Sequence, residues 1–302
     1  MKNEKYYTIK RFRKWSKAKQ YVDKELKGYI FRGQANSEWS LETNIERIAK
    51  LYNQNISKEN FESKMYNEFM KIGRNYINQF PENYIECFAL MQHYGGCTRF
   101  LDFSKSFYIA TFFAFENILK HKNQYVNPAI WAIDYSKLIP EMSDRLGNKR
   151  KFPSRNIKEL NAPLNDLLKM IVEMGVEGTY KIEGNYKKQI YEKGIFCIEP
   201  DRLIDRMEIQ QGLFLVPSNF EYSFLENLLN SFNDTEVYKY IVKIELSGQL
   251  DSRKEIISDL KKMNISPKTL FPGIEGLMKN LKYCFLEKWD EVDGVYINRK
   301  YK

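Results

Sequence analysis

Four polar side chains of different chemistry surround one pair of glycines in the first half of the chain. They are His93, Arg99, Asp102 and Ser104, placed around Gly95–Gly96 and followed by a strongly apolar segment. A cleft that orients a polar ligand needs such polar groups beside an apolar wall. In the alternative interpretation all four are structural, because buried polar groups are usually satisfied within the protein. Arg99 would then pair with Asp102. His93 would hydrogen-bond at a helix end, and Ser104 would only cap the next helix.

A second candidate group lies where an early apolar strand ends. Residues 29–32 are predicted to form a strand that ends at Arg32, directly before Gly33, and Gln34 begins a polar loop. A guanidinium beside a glycine that lets backbone amides approach a ligand suits the recognition of phosphate or ribose. A structural ion pair of Arg32 is the alternative, and the two interpretations are equally compatible with the sequence.

The elements that hold the central group follow from the apolar spacing. Residues 83–94 have a helical period that ends at Gly95, because glycine accepts the left-handed conformation of a helix C-terminus. His93 then lies in the last turn, where the helix dipole favours its protonated form. Residues 98–103 read as a short strand, and 105–119 as a helix capped by Ser104 that is apolar on nearly every side and therefore buried.

The rest of the chain alternates between helical and extended patterns. Further helices are predicted over 16–26, 43–51, 57–80, 164–174, 251–263 and 272–283, and further strands over 128–134, 195–198, 208–217 and 238–246. The proline-bearing insert 140–161 is charged and is expected to be a surface loop. This alternation predicts an α+β fold with a small mixed β-sheet core surrounded by several helices.

Composition predicts one globular domain over 1–302. The chain is 43% hydrophobic and 15% aromatic, which excludes a disordered protein. We expect a core over about 29–217, an N-terminal basic helix over 10–27 and a C-terminal helical part over 218–302.

The net charge is +9, and basic residues cluster with aromatic ones over 10–19. Such a segment can bind nucleic-acid phosphates, although a solvated helix start is the commoner explanation.

Cysteine and histidine usage bounds the chemistry further. The four cysteines form no C-x-x-C pair, and only two histidines are present. A disulfide framework or a zinc ribbon is therefore not expected, and we predict no metal and a cytoplasmic location. No apolar run approaches the roughly 20 residues that a membrane helix needs, so no membrane partner is expected either.

Several blocks of this sequence resemble the FRG domain, which is named for a Phe-Arg-Gly motif. The blocks span roughly 29–217, with 270–281 as a weaker match. They are Phe31-Arg32-Gly33-Gln34, then Trp39 and Leu41, then Gln92-His93-Tyr94-Gly95 with Thr98-Arg99 and Leu101-Asp102, and finally Gln210-Gln211-Gly212-Leu213-Phe214. FRG domains occur in bacterial and phage proteins, often beside defence or toxin genes, but the resemblance implies no particular chemistry.

The order of these blocks also resembles, more remotely, the ADP-ribosyltransferase superfamily. That resemblance implies that Arg32 holds the phosphate or ribose of NAD and that Ser104 orients the nicotinamide ribose. Tyr94 or Tyr108 would stack on nicotinamide. This sequence has Gln211 where the superfamily has its catalytic glutamate, and Glu208 is the nearest carboxylate. The residues implied for NAD binding or catalysis are Arg32, Gly33, Gln34, His93, Tyr94, Arg99, Asp102, Ser104, Tyr108, Glu208 and Gln211.

These observations lead to three hypotheses. In the first, the protein is an ADP-ribosyltransferase-like enzyme that uses NAD as substrate, transferring ADP-ribose to a protein or nucleic acid or hydrolysing NAD, as a toxin or anti-phage effector. The second is a non-catalytic module that senses a nucleotide or phage component, and the third is a nucleic-acid-binding protein. The position of Glu208 distinguishes the first two hypotheses, because catalysis requires its carboxylate to point into the cleft. We expect Arg32, His93, Asp102, Ser104 and Gln211 to converge on that cleft.

Overall fold

The computed structural model describes residues 6–52, 57–116, 126–145, 161, 164–166, 168–170, 172, 193–201, 205–232 and 236–282. Most of the predicted loop 140–161 and part of the predicted helix 164–174 lie outside these residues. Among the described residues, no helix combines the length and apolar character that crossing a bilayer requires. In the same part of the chain, no group of three or more His, Cys, Asp or Glu side chains could hold a metal ion.

A mixed seven-stranded sheet forms the centre of the fold, in the order β1-β7-β4-β2-β3-β6-β5. Its strands are β1 (Thr8–Phe12), β2 (Tyr29–Gln34), β3 (Leu101–Ser104), β4 (Ala129–Asp134), β5 (Ile195–Ile198), β6 (Gly212–Pro217) and β7 (Ile241–Leu246). The β1–β7 pair is parallel and every other pair is antiparallel. The predicted α+β class with a mixed sheet is confirmed, although the sheet is larger than expected.

Helices cover both faces of the sheet. They are α1 (Trp15–Glu25), α2 (Asn44–Leu51), α3 (Lys58–Ile72), α4 (Tyr84–His93), α5 (Phe107–Glu116), α6 (Tyr135–Arg145), α7 (Asp205–Ile209), α8 (Phe224–Leu229), α9 (Leu250–Lys262), α10 (Pro267–Leu270) and α11 (273–282). Successive side chains of a strand point to opposite faces. Ile30 accordingly belongs to a core cluster with α3, α4, α6 and α8, whereas Phe31 belongs to a cluster with α1, α5 and α9.

The contact between β2 and α5 depends on a glycine. A Cβ atom at Gly33 would lie 1.9 Å from the carbonyl oxygen of Ala110 and 2.6 Å from the amide nitrogen of Ala114. Only a residue without a side chain allows the helix to approach the strand this closely. Gly33 is therefore required for helix–sheet packing, a reason different from the ligand access suggested by the sequence.

The structure corrects four predicted boundaries. The basic segment does not begin as a helix at residue 10, because Thr8–Phe12 pairs with β7 and the helix starts at Trp15. The predicted helix 57–80 ends at Ile72 and continues as a 3₁₀ turn. Residues 135–145 form a helix with Pro140 inside it, where the loop was expected to begin. Ser104 is the last residue of β3, and Ser106 instead accepts a hydrogen bond from the Ile109 amide.

Candidate functional site

A cavity of about 520 Å³ opens among β2, β3, β6, α4, α5 and α7. Its apolar wall includes Phe113 of α5 and Leu213 of β6. Six charged or titratable side chains line it: Arg32, Arg47, His93, Asp102, Glu116 and Arg206. Pockets of this size with a few convergent polar groups are typical of small-molecule sites. The cavity therefore has the size and the mixed polar and apolar lining of a small-molecule site.

Arg32 enters the cavity from β2. Its Nη1 donates a 2.7 Å hydrogen bond to the backbone carbonyl of Asp102, and the same nitrogen lies 3.8 Å from the Asp102 carboxylate. Nε of Arg32 is buried and has no hydrogen-bond partner among the described residues. Burial lowers the pKa of Arg32 to about 10, with Asp102 acting against this shift, so the guanidinium stays protonated at neutral pH. The Arg32 side chain, which is 18% exposed, thus keeps its charge at the cavity wall and has one buried donor without a partner among the described residues.

A hydrogen-bonded chain fixes the carboxylate of Asp102. Nε2 of Gln92 donates to Oδ2 of Asp102 at 2.9 Å, and Oγ1 of Thr98 donates to Oε1 of Gln92 at 2.8 Å. Gln92 lines the cavity although we did not expect it among the site residues. It directly precedes His93 in the block that resembles the FRG domain, which is the one signal that could have identified it.

His93 lines the cavity near Asp102 and Arg206, but its expected protonation is wrong. Burial lowers the pKa of His93 below its usual value, and the positive charge of Arg206 lowers it further. The attraction of Glu275 and Asp102 acts in the opposite direction and is smaller. His93 therefore favours the neutral form, which can donate one hydrogen bond and accept another.

Ser104 is held beside Arg32 by strand pairing. Phe31 is its partner in the β2–β3 ladder. The hydroxyl of Ser104 donates to the carbonyl of Gln210 at 2.7 Å and accepts from the amide of Ser106 at 3.0 Å. Because its single proton is already engaged, Ser104 could meet a ligand only as an acceptor. Its bond to the Gln210 carbonyl connects the turn between α7 and β6 to the end of β3.

Gln34 lines the cavity with both ends of its amide engaged. Its Oε1 accepts from the indole nitrogen of Trp131 at 2.8 Å, and its Nε2 donates to the carbonyl of Ser40 at 2.9 Å. These bonds anchor the loop that carries Trp39, whose side chain lines the cavity and is 53% exposed. An exposed aromatic ring at a cavity mouth offers a stacking surface, and we did not predict this role for Trp39.

Arg206 and Glu116 connect the cavity to the end of the described chain. The Arg206 guanidinium lies over the ring of Phe271, with 4.5 Å between its central carbon and the ring centroid. Its nearest carboxylate oxygen among the described residues belongs to Glu275, at 3.9 Å. Lys279 of α11 approaches Glu116 at 3.6 Å and Glu275 at 3.0 Å. Sequence reasoning missed Arg206, because no local pattern distinguishes it from a surface arginine.

Four of the five residues expected to converge line this cavity: Arg32, His93, Asp102 and Ser104. Gln211 does not, and neither does Glu208. Both side chains are exposed, and Gln211 adopts a left-handed backbone conformation with φ of 48°. The backbone carbonyl of Gln211 accepts from the amide of Lys105 at 2.9 Å. The turn thus directs its glutamine outside the cavity.

Three further candidates also lie away from the cavity. Tyr94 is 76% exposed, and Tyr108 packs edge-on against Trp15. The predicted pairing of Arg99 with Asp102 is wrong, because Arg99 forms a fully buried ion pair with Glu62 of α3 at 2.5 Å. Arg99 therefore joins α3 to the segment before β3 and does not contact the cavity. Its charge is near the core, as expected, but its partner is distant in sequence.

The basic segment at the N-terminus is partly neutralised within the fold. Arg11 pairs with Glu245 across the β1–β7 ladder at 2.8 Å, and Lys19 pairs with Asp259 of α9. The ammonium of Lys10 lies over the ring of Tyr21 instead. These contacts leave fewer open cations than the sequence suggested, so they add no support to nucleic-acid binding.

Comparison with known proteins supports part of the sequence-based resemblance. Residues 27–123 match the family model of the FRG domain. No curated protein and no solved structure matches the chain. The matched region contains β2, α4, β3 and α5, and hence Arg32, His93, Asp102 and Ser104. The block Gln210–Phe214 lies beyond it.

Proposed function

We propose that the cavity binds a phosphate-bearing nucleotide, with NAD as the leading candidate ligand. The observation that carries this proposal is the guanidinium of Arg32, which lines the cavity, keeps its charge and belongs to a side chain that is 18% exposed, so a ligand can reach it. Its buried Nε has no acceptor among the described residues, which costs free energy, and an anionic oxygen beside the guanidinium would stabilise the charge. The planar guanidinium also matches the oxygens of a phosphate group better than an ammonium does.

The surroundings of Arg32 favour an anion that also has an aromatic part. Arg47 lies close enough to lower the pKa of Arg32 by charge repulsion, so a phosphate placed here would meet two cations. Trp39 supplies an exposed ring at the mouth, on which a base could stack. Phe113 and Leu213 provide an apolar part of the cavity wall. Together these groups suit the diphosphate and one ring of a dinucleotide.

Binding without chemistry is the function that the site supports best. ADP-ribosyl transfer needs a carboxylate beside the ribose, where positive charge develops in the transition state. Glu208 and Gln211 are exposed and do not line the cavity. The protein would then act as a nucleotide-sensing module. A role in anti-phage defence rests on the resemblance to the FRG domain alone.

Cleavage of NAD is the second candidate function, and the position of the Asp102 carboxylate favours it. Its carboxylate lines the cavity and is oriented by Gln92. It could stabilise the ribosyl cation as the bond to nicotinamide breaks, with nicotinamide leaving and water or a protein or nucleic-acid acceptor adding to the ribose. Asp102 would then act where the superfamily uses its glutamate.

Calorimetric titration with NAD, ADP and inorganic pyrophosphate tests the proposal directly. We expect all three to bind the wild-type protein, and we expect NAD to remain intact over hours, as followed by nicotinamide release. Arg11→Ala is the matched control, because Arg11 is an exposed arginine paired with Glu245 far along the sheet. Its binding should equal that of the wild type. Absence of binding by all three ligands contradicts the proposal.

The same measurement decides between the two candidates. Nicotinamide release that disappears in Asp102→Asn would establish cleavage, because the amide keeps the size of the side chain but cannot bear the charge. Release that persists in Asp102→Asn would point to a different group. Binding with no release supports the sensing module.

A further inference from the structure

We infer that the cavity has a second anion-binding position at Arg206, and that its ligand carries two separate phosphate groups. This inference rests on the proposed function and names the ligand class more closely. The expected ligand is a nucleotide with a phosphate on a ribose hydroxyl in addition to its diphosphate.

The first observation is that the guanidinium of Arg206 has open donors. Among the described residues it makes no hydrogen bond, and its nearest carboxylate oxygen lies 3.9 Å away on Glu275. Glu275 is itself engaged by Lys279 at 3.0 Å. A guanidinium offers five N–H donors in a fixed plane, and few of them are used here. The Arg206 side chain lines the cavity and is 25% exposed, so a ligand can reach it.

The second observation is that the guanidinium is held in place without being neutralised. Its central carbon lies over the buried ring of Phe271, 4.5 Å from the ring centroid. Such a cation–π contact holds the guanidinium in position but uses none of its N–H donors in a hydrogen bond. An arginine that is already held in position loses less conformational freedom when it binds an anion. Arg206 is thus arranged as a preformed binding group.

The third observation is that the cations form two groups around Asp102. Arg32 donates to the backbone of Asp102, and Arg47 is the cation that acts on Arg32. Arg206 is on α7, which leads into β6, and β3 with Asp102 lies between β2 and β6 in the sheet. One phosphate or diphosphate can satisfy the first group. Arg206 approaches the cavity from the β6 side of Asp102 and not from the β2 side with Arg32, so a second anion can meet it there.

NAD and NADP provide a matched pair of probes, since they differ by one phosphate on a ribose hydroxyl. We expect NADP to bind the wild-type protein about tenfold more tightly than NAD, which corresponds to about 1.4 kcal/mol. In Arg206→Gln this advantage should disappear, because the affinity for NADP should fall about tenfold more than the affinity for NAD. Equal affinity of the wild-type protein for the two ligands would overturn the inference. So would an equal weakening of both ligands in Arg206→Gln, which indicates a structural role.

Glu275→Gln tests the same idea with the opposite sign. This substitution removes the carboxylate nearest to Arg206 but keeps the guanidinium, so the preference for NADP should increase. A purely structural Arg206 would not produce opposite changes in the two variants. An unchanged or reduced preference in Glu275→Gln counts against the inference.

Inorganic pyrophosphate gives a readout that does not depend on how a nucleotide is oriented. We expect two bound pyrophosphates per wild-type chain and one in Arg206→Gln. A single bound pyrophosphate in the wild-type protein would refute the second position while leaving the proposed nucleotide site intact. Failure of the proposed function looks different, because then neither NAD nor pyrophosphate binds.

Discussion

Nη1 of Arg32 donates a 2.7 Å hydrogen bond to the backbone carbonyl of Asp102, although the carboxylate of the same residue lies 3.8 Å away. The guanidinium is therefore positioned by the main chain of β3, and only weakly by a countercharge. A neutral partner orients a cation without cancelling its charge. This relationship separates Arg32 from an arginine that merely completes an internal ion pair.

Replacement of Arg32 should abolish nucleotide binding without unfolding the protein. We expect Arg32→Ala to weaken the binding of NAD by a hundredfold or more, because charge-assisted hydrogen bonds contribute about 1.5–3 kcal/mol each. Arg32→Lys should restore binding only in part, since lysine keeps the charge but not the planar pair of donors. Calorimetric titration and thermal melting of both variants provide the test. A folded Arg32→Ala protein that binds NAD normally would remove the basis of the proposed site.

His93 should make the folded protein sensitive to mild acid. Burial and Arg206 lower its pKa in the folded state, so the unfolded chain binds a proton more readily. The stability that depends on neutral His93 is present above the ordinary histidine pKa of about 6.5 and is lost as the pH falls below it. We expect the free energy of unfolding of the wild-type protein, relative to His93→Gln, to decrease between pH 7 and pH 5. A difference that instead grows over this range would indicate the protonated histidine suggested by the helix dipole.

The buried pair of Glu62 and Arg99 should dominate the stability of the contact between α3 and the segment before β3. Both side chains are only 1% exposed, and Glu62 also accepts from the backbone amide of Arg99 at 2.7 Å. Removing the carboxylate leaves a buried cation, so Glu62→Gln should lower the free energy of unfolding by about 3–5 kcal/mol. Urea denaturation measures this change. Glu68→Gln is the control on the same helix, because its exposed pair with Lys71 spans 3.8 Å and should contribute less than about 1 kcal/mol.

Gly33 should prove essential for packing. A Cβ atom there would overlap the backbone of α5, which cannot move aside as a flexible side chain could. We expect Gly33→Ala to lower the free energy of unfolding by about 3 kcal/mol, at the upper end for overpacked positions. Gly212→Ala is a control that also lines the cavity, because its nearest contact would be 3.3 Å and small shifts can accommodate it. Equal effects of the two substitutions on thermal melting would contradict this account.

Local patterns in the sequence were enough to predict the framework of the site. The helix before Gly95 and the apolar helix after β3 were predicted because apolar spacing and glycine chemistry act over a few residues. The observed α4 ends at His93, and Gly95 has the left-handed φ of 85° that the pattern required. The strand that carries Arg32 was predicted for the same reason. These features arise within single elements, where neighbours in the chain are also neighbours in space.

The partners of the polar side chains were decided only by the tertiary structure. Arg99 pairs with Glu62 and not with Asp102, because α3 brings this carboxylate, from 37 positions earlier in the chain, to the segment just before β3. Strand β1 was missed because its ladder partner β7 lies more than 200 residues away, and a short basic segment alone does not indicate a strand. Long-range pairing of this kind has no signature in the local sequence.

The chemistry of the cavity depends on these long-range contacts. Helix α7 brings Arg206 to the wall near His93, and burial together with this charge lowers the pKa of His93, which is opposite to the direction expected from the helix dipole. The turn before β6 directs Gln211 outward, while the register of β3 against β2 places Ser104 and Asp102 beside Arg32. The sequence determined which polar residues end each element. The packing of those elements decided which of them meet, because side-chain direction and burial are properties of the assembled sheet and its helices.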